Sequence, residues 1–174
     1  MDSHQILMNG LVTGTVKTDA IKKGRCIRQI NSDNRYCYDV VKDDTFHNIV
    51  NECRRLIGEY YEPLDPDSEV VSFITINRRD SPELTRHTDE SKFTVNICLD
   101  SAEDGGSLCF EGVQFFSDPD IVHVQKKLMK KLSYSDNRYH MKSGKFIIHR
   151  GKHEHFMTKV KNSDTRHHLI LWFM

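Results

Sequence analysis

The run His87-Thr88-Asp89 lies near the middle of the chain, and His155 lies near its end, eleven residues before Arg166. Two imidazoles and one carboxylate are the donor set that holds a redox-active iron on one face and leaves positions open opposite. His87 and Asp89, two apart in extended backbone, project to the same side. Arg166 heads a strand-like run ending Leu171-Trp172-Phe173. An arginine fork there is suited to gripping the far carboxylate of a small diacid through two parallel charge-assisted bonds. His-x-Asp alone is a weak signal in a chain with ten histidines. The third donor also has competitors by residue type, His149 and His153 standing close to His155.

These groups need elements to carry them. Phe46, Ile49, Val50, Cys53, Leu56, Ile57 and Tyr60 recur at helical spacing and predict an amphipathic helix over about 44–60, capped by Asp43 or Asp44. Pro63-Leu64-Asp65-Pro66 ends it. Beyond it the chain reads as β. Val70 to Ile76 is rich in branched and aromatic residues. Phe93, Val95, Ile97 and Leu99 alternate with Thr94, Asn96 and Cys98, the period of a half-buried strand. Gly105-Gly106 marks a tight turn into 107–110, Gly144 opens Phe146-Ile147-Ile148, and residues 166–173 form the last strand. Before the helix, 26–30 and 36–41 are β-like and flank a turn at Asn31-Ser32-Asp33-Asn34. Residues 117–143, with Lys126, Lys127, Lys130 and Lys131, read as a solvated charged face, with a short helix or an excursion over a barrel mouth as alternatives. Several short strands with turns between them predict a mainly β jelly roll or sandwich flanked by the helix.

Composition narrows the field. The expected organisation is one domain over 1–174, in which 1–69 supports a core at 70–174. With 25 basic and 25 acidic side chains, no net field steers the chain to nucleic acid or anionic lipid. No apolar run approaches the ~20 residues of a membrane span, and the polar start Met1-Asp2-Ser3-His4-Gln5 lacks a secretory layout. The five cysteines are odd in number, scattered and without a CxxC pair, so reduced thiols in the cytoplasm are expected.

In order, the chain shows His87-Thr88-Asp89, the alternating strand 93–99, then Gly105-Gly106-Ser107-Leu108-Cys109-Phe110. Gly144 to His149, His155 with Val160 five residues on, Arg166, and Trp172 six beyond it follow. This set resembles the iron(II)- and 2-oxoglutarate-dependent dioxygenases, specifically the prolyl 4-hydroxylase-like branch, with its H-x-D, strand, G-G-x-L-x-F and H-x4-V…R elements. The likeness covers roughly 70–174. It implies a double-stranded β-helix in which His87, Asp89 and His155 hold Fe(II), and it selects His155 over His153 and His149. It implies that Arg166 binds the distal carboxylate of 2-oxoglutarate, whose other end chelates the metal and leaves one position for dioxygen. Oxidative decarboxylation to succinate and CO2 would drive hydroxylation of a C–H bond, by the same likeness in a peptide or protein proline, with ascorbate as reductant. Trp172 would border the cosubstrate pocket. His168 shares the Arg166 face, where relatives carry a small residue, so an imidazole would stand beside the cosubstrate if that face is the inner one. The histidine-to-arginine gap is one residue longer than in most relatives, with Lys161-Asn162-Ser163-Asp164 in place of a glycine-bearing turn. No arginine follows Arg166, which argues against a nucleic-acid demethylase. The competing readings are a non-catalytic peptide-binding module, a small-molecule oxygenase of the same superfamily, and a zinc site, which would leave the arginine unexplained.

Overall fold

A computed structural model of the chain describes residues 3–6, 10–30, 35–77, 83–100, 105–112, 137–161 and 165–174. The expected turn at 31–34, the lysine cluster at 126–131 and residues 162–164 lie outside the described residues. In chain order the elements are β1 (Ser3–Ile6), β2 (Val12–Thr15), β3 (Lys23–Ile30), β4 (Arg35–Val40), α1 (Asp44–Tyr60), β5 (Val70–Asn77) and β6 (Leu84–His87). There follow β7 (Phe93–Asp100), β8 (Leu108–Phe110), β9 (Arg138–Tyr139), β10 (Lys145–Arg150), β11 (His155–Met157) and β12 (Arg166–Phe173). No helix among the described residues is long and apolar enough to cross a membrane.

The helix forms where its apolar stripe predicts. Asp43 caps it, its carboxylate accepting from the Phe46 amide at 3.1 Å, and Asp44 adds negative charge to the first turn. The buried stripe of Phe46, Ile49, Val50, Cys53, Leu56 and Ile57 packs with Ile74, Phe93, Val95, Ile97, Phe146, Ile148, Leu169 and Phe173. Each such side chain contributes roughly 1.5–3 kcal/mol on burial, so this helix-on-sheet layer is the main apolar store of the fold.

The sheets are antiparallel. The larger runs β1-β2-β10-β7-β12-β5-β4-β3, and the smaller runs β6-β11-β8-β9. The chain crosses repeatedly between them, as in a jelly roll. Residues of β7 and β10 that alternate with the helix-facing set point the other way, and there Cys98 and Ile147 pack with Leu108, Phe110 and Met157 of the small sheet.

That second layer corrects one expectation. Alternation along β7 predicts a half-buried strand, yet residues 93–98 are all buried. The polar set Thr94, Asn96 and Cys98 faces the interior between the sheets rather than solvent. Alternation here marks two different interiors, one apolar against α1 and one mixed.

Candidate active site

His87 ends β6 and His155 opens β11. The two strands pair with these residues directly opposite, which brings the rings to 4.4 Å between centroids. Asp89 is buried two residues past His87, its amide donating to the Gly151 carbonyl at 2.8 Å. One donor atom from each of His87, Asp89 and His155 lies within 4.8 Å of the others. The register picks His155 from its rivals, because it alone faces His87 across the β6–β11 ladder.

The tautomers are set by backbone. Nδ1 of His87 lies 2.8 Å from the Thr85 carbonyl, and Nδ1 of His155 lies 2.9 Å from the His153 carbonyl. A carbonyl only accepts, so both Nδ1 atoms carry a proton, and each ring turns its Nε2 inward. The two Nε2 atoms stand 3.6 and 3.7 Å from the Asp89 oxygens, too far for hydrogen bonds. Two imidazole nitrogens and a carboxylate that converge without hydrogen-bonding one another are a donor set that fits a divalent metal. Burial, partly opposed by Asp89, lowers the His155 pKa and keeps the ring in its ligating form. Asp89 is held in turn. Thr94 Oγ1 donates to its Oδ2 at 2.6 Å, and Ser91 Oγ stands 2.7 Å from that Thr94 hydroxyl.

The other two histidines serve the frame. His149 is fully buried, donating from Nδ1 to the Arg150 carbonyl at 2.8 Å, so its Nε2 accepts from Asn96 at 3.1 Å. Burial pushes its pKa well down. It is a packed, hydrogen-bonded core histidine. His153 places Nε2 at 3.1 Å from the Glu111 carbonyl, with a pKa lowered by burial to about 4. Neither joins the triad.

The triad borders a cavity of about 320 Å³. Leu84, Leu108, Met157, Ile170, Phe73 and Trp172 supply its apolar wall, and Thr75, Asn77, Thr94 and Asn96 its polar points. Thr88 and Glu90, both exposed, also line it. Arg166, only 1% exposed, starts β12 on the same inner face, paired with Asn77 of β5. His168 comes next on that face, beside Thr75 and Cys98. The face in question is therefore the inner one. Arg166 and His168 do not themselves line the cavity, whose floor there is made by their sheet neighbours Asn77, Thr75 and Ile170. Trp172 lines it at the triad end, paired with Thr94 and packed edge-to-face on Phe73 at 5.2 Å. Between the His168 and His167 pairings β7 carries one extra residue, Leu99, a bulge of the kind that re-aims side chains beside sites.

No family model matches the chain. A curated Arabidopsis thaliana protein, the 2-oxoglutarate and iron-dependent oxygenase domain-containing protein ICU11, is 34% identical over 90 residues, which is 52% of this chain and 20% of that protein. The chain thus matches a fifth of that relative's length. Among solved structures, EvdO2 from Micromonospora carbonacea var. aurantiaca complexed with 2-oxoglutarate is similar with a TM-score of 0.55 and 12% identity, over 86% of this chain and 76% of that one. The chain has the fold of the 2-oxoglutarate- and iron(II)-dependent oxygenases. A Pseudomonas putida prolyl-4-hydroxylase is similar with a TM-score of 0.51 and 13% identity, over 87% of this chain and 76% of that one. The resemblance read from the motifs is borne out at the level of this oxygenase fold.

Within the oxygenase fold, three residues matter that the sequence reading passed over. Thr94 was legible only as the polar face of a strand. Gly106 was legible as part of a turn, but it has φ +61°, and a Cβ there would overlap the Arg166 guanidinium. Gly151 lies so close to the Ser91 carbonyl that any side chain would collide with it, and its own carbonyl holds the Asp89 amide. Glycine at each position is a space requirement set by a distant segment.

Proposed function

We propose that this protein is an iron(II)- and 2-oxoglutarate-dependent dioxygenase that hydroxylates a C–H bond. The observation carrying the reading is the His87–Asp89–His155 cluster, with both Nδ1 atoms engaged by carbonyls, on the wall of a cavity that shares an inner sheet face with buried Arg166. In this reading the two Nε2 atoms and the Asp89 carboxylate hold Fe(II), and Arg166 binds the distal carboxylate of 2-oxoglutarate. Iron(II) held by these residues would supply the oxidising power for the keto-acid-driven hydroxylation, with succinate and CO2 as co-products and ascorbate as reductant. The chain supplies position. Thr94 fixes Asp89, the carbonyls of Thr85 and His153 fix the imidazoles, and the apolar wall keeps water from the reacting centre.

The substrate we favour is a proline in a peptide or protein. Its support is the motif set of the prolyl 4-hydroxylase-like branch and the fold shared with the Pseudomonas putida enzyme. The cavity suits a compact apolar ring, being walled by Trp172 and Phe73 and bordered by exposed Thr88 and Glu90. We further read residues 1–174 as one catalytic domain, its β core at 70–174 backed by the 1–69 segment. The five cysteines stand as thiols rather than disulfides, in keeping with a reducing cytoplasm.

The test is succinate formation from 2-oxoglutarate with Fe(II) and ascorbate in air, with and without proline-containing peptides. Wild-type turnover abolished in Asp89→Ala and stimulated by a peptide is expected. Keto-acid binding without succinate under any condition would refute the catalytic reading.

A further inference from the structure

His168 is fully buried, and among the described residues neither of its ring nitrogens has a hydrogen-bond partner. An imidazole always offers at least one N–H, and a buried donor left unsatisfied is costly, so such a group is retained where something else meets it. It stands on the inner face of β12 between Arg166 and Ile170, flanked by Thr75 of β5 and Cys98 of β7. Two of those four neighbours, Thr75 and Ile170, line the cavity. The Leu99 bulge lies in the adjoining strand at the same level. An imidazole here is surplus to packing, since an apolar side chain would fill the space without the polar penalty.

We infer that His168 is a second anchor for the distal carboxylate of the keto acid, donating a ring N–H to the oxygen that Arg166 leaves exposed. The inference rests on the reading of the cavity as a 2-oxoglutarate site and adds a residue to it. Burial and the neighbouring Arg166 charge keep His168 neutral, with its pKa well below the ordinary value, so it acts as a neutral donor beside a permanent cation. Arg166 supplies the charge, and His168 fixes which oxygen faces which donor.

The chain has a single tryptophan, Trp172, and it lines the same cavity, so its fluorescence reports occupancy. Binding of 2-oxoglutarate is titrated on the Mn(II)-loaded protein without dioxygen. His168→Leu should weaken keto-acid binding about 10- to 100-fold, the worth of one hydrogen bond to a charged partner, and leave Mn(II) affinity unchanged. His168→Gln, which keeps a donor, should restore most of the loss. In the wild-type protein with 15N-labelled histidine, the His168 ring resonances should shift when the keto acid is added. Equal binding by wild type and His168→Leu, equal loss in both variants, or unshifted His168 resonances would each overturn the inference. Those outcomes leave the oxygenase reading standing so long as wild type binds the keto acid and Arg166→Leu does not. A wild-type protein that binds Mn(II) but no 2-oxoglutarate would overturn both.

Discussion

Thr94 Oγ1 donates a 2.6 Å hydrogen bond to Oδ2 of Asp89, so a hydroxyl on the large sheet aims the carboxylate that faces both imidazoles. The bond joins the two layers of the site, because Thr94 belongs to β7 while His87 and His155 belong to the small sheet. Outer partners of this kind tune metal affinity by about 10- to 100-fold. Thr94→Val should weaken Mn(II) binding within that range with little change in fold, and Thr94→Ser should recover it. Calorimetric titration of the three proteins decides this, and a valine variant with wild-type affinity would remove Thr94 from the account.

Gly106 has room for Arg166 only because it lacks a side chain. Gly106→Ala should displace the guanidinium and force an L-residue into a left-handed conformation at a cost of about 1–2 kcal/mol. Keto-acid affinity should fall at least tenfold, with a lower melting temperature and unchanged Mn(II) affinity. A substitution that lowers stability alone would show that Arg166 is not held by this contact.

Metal should stabilise the fold. The site joins β6, β11 and the loop before β7, which the bare protein holds against converging lone pairs and a carboxylate. Saturation with Mn(II) at 100 times its Kd should add about 2.7 kcal/mol. Thermal melts should show a clear rise that a chelator reverses and that Asp89→Ala lacks. An unchanged melting temperature in wild type would contradict the site.

His168 gives a pH signature. Its folded pKa lies well below the ordinary histidine value, burial being the main cause and Arg166 the second. The unfolded chain therefore takes up a proton below about pH 6.5 that the folded chain refuses, and stability falls as pH drops from there towards the folded pKa. Above that range this residue contributes no slope. His168→Leu should flatten the acid limb by up to about 1.4 kcal/mol per pH unit, one proton's worth. Denaturant midpoints between pH 4 and 8 would reveal an unflattened limb and so a His168 that titrates normally.

Much of this fold was readable because it follows local periodicity. The stripe from Phe46 to Tyr60 became the helix Asp44–Tyr60, since spacing alone decides which side chains share a face. The strands 70–77, 93–100 and 166–173 were likewise visible. What local pattern could not carry was the identity of the environments. The Thr94–Asn96–Cys98 face looks solvent-facing in one dimension and lies between two sheets in three. The choice among His149, His153 and His155 was open by residue type, and only the register of β11 against β6 decides it geometrically. Gly106 and Gly151 owe their identity to Arg166 and Ser91, partners remote in sequence, so neither announced itself. His168 was visible as an oddity on the right face, and the structure adds that it is buried with both nitrogens unanswered among the described residues.

The most direct test is diffraction from crystals grown with Mn(II) and 2-oxoglutarate in the absence of dioxygen. The account predicts one anomalous peak coordinated by Nε2 of His87, Nε2 of His155 and the Asp89 carboxylate, with the keto acid chelating it and its distal carboxylate on Arg166. An ion bound elsewhere, or a keto acid that never reaches Arg166, would contradict it.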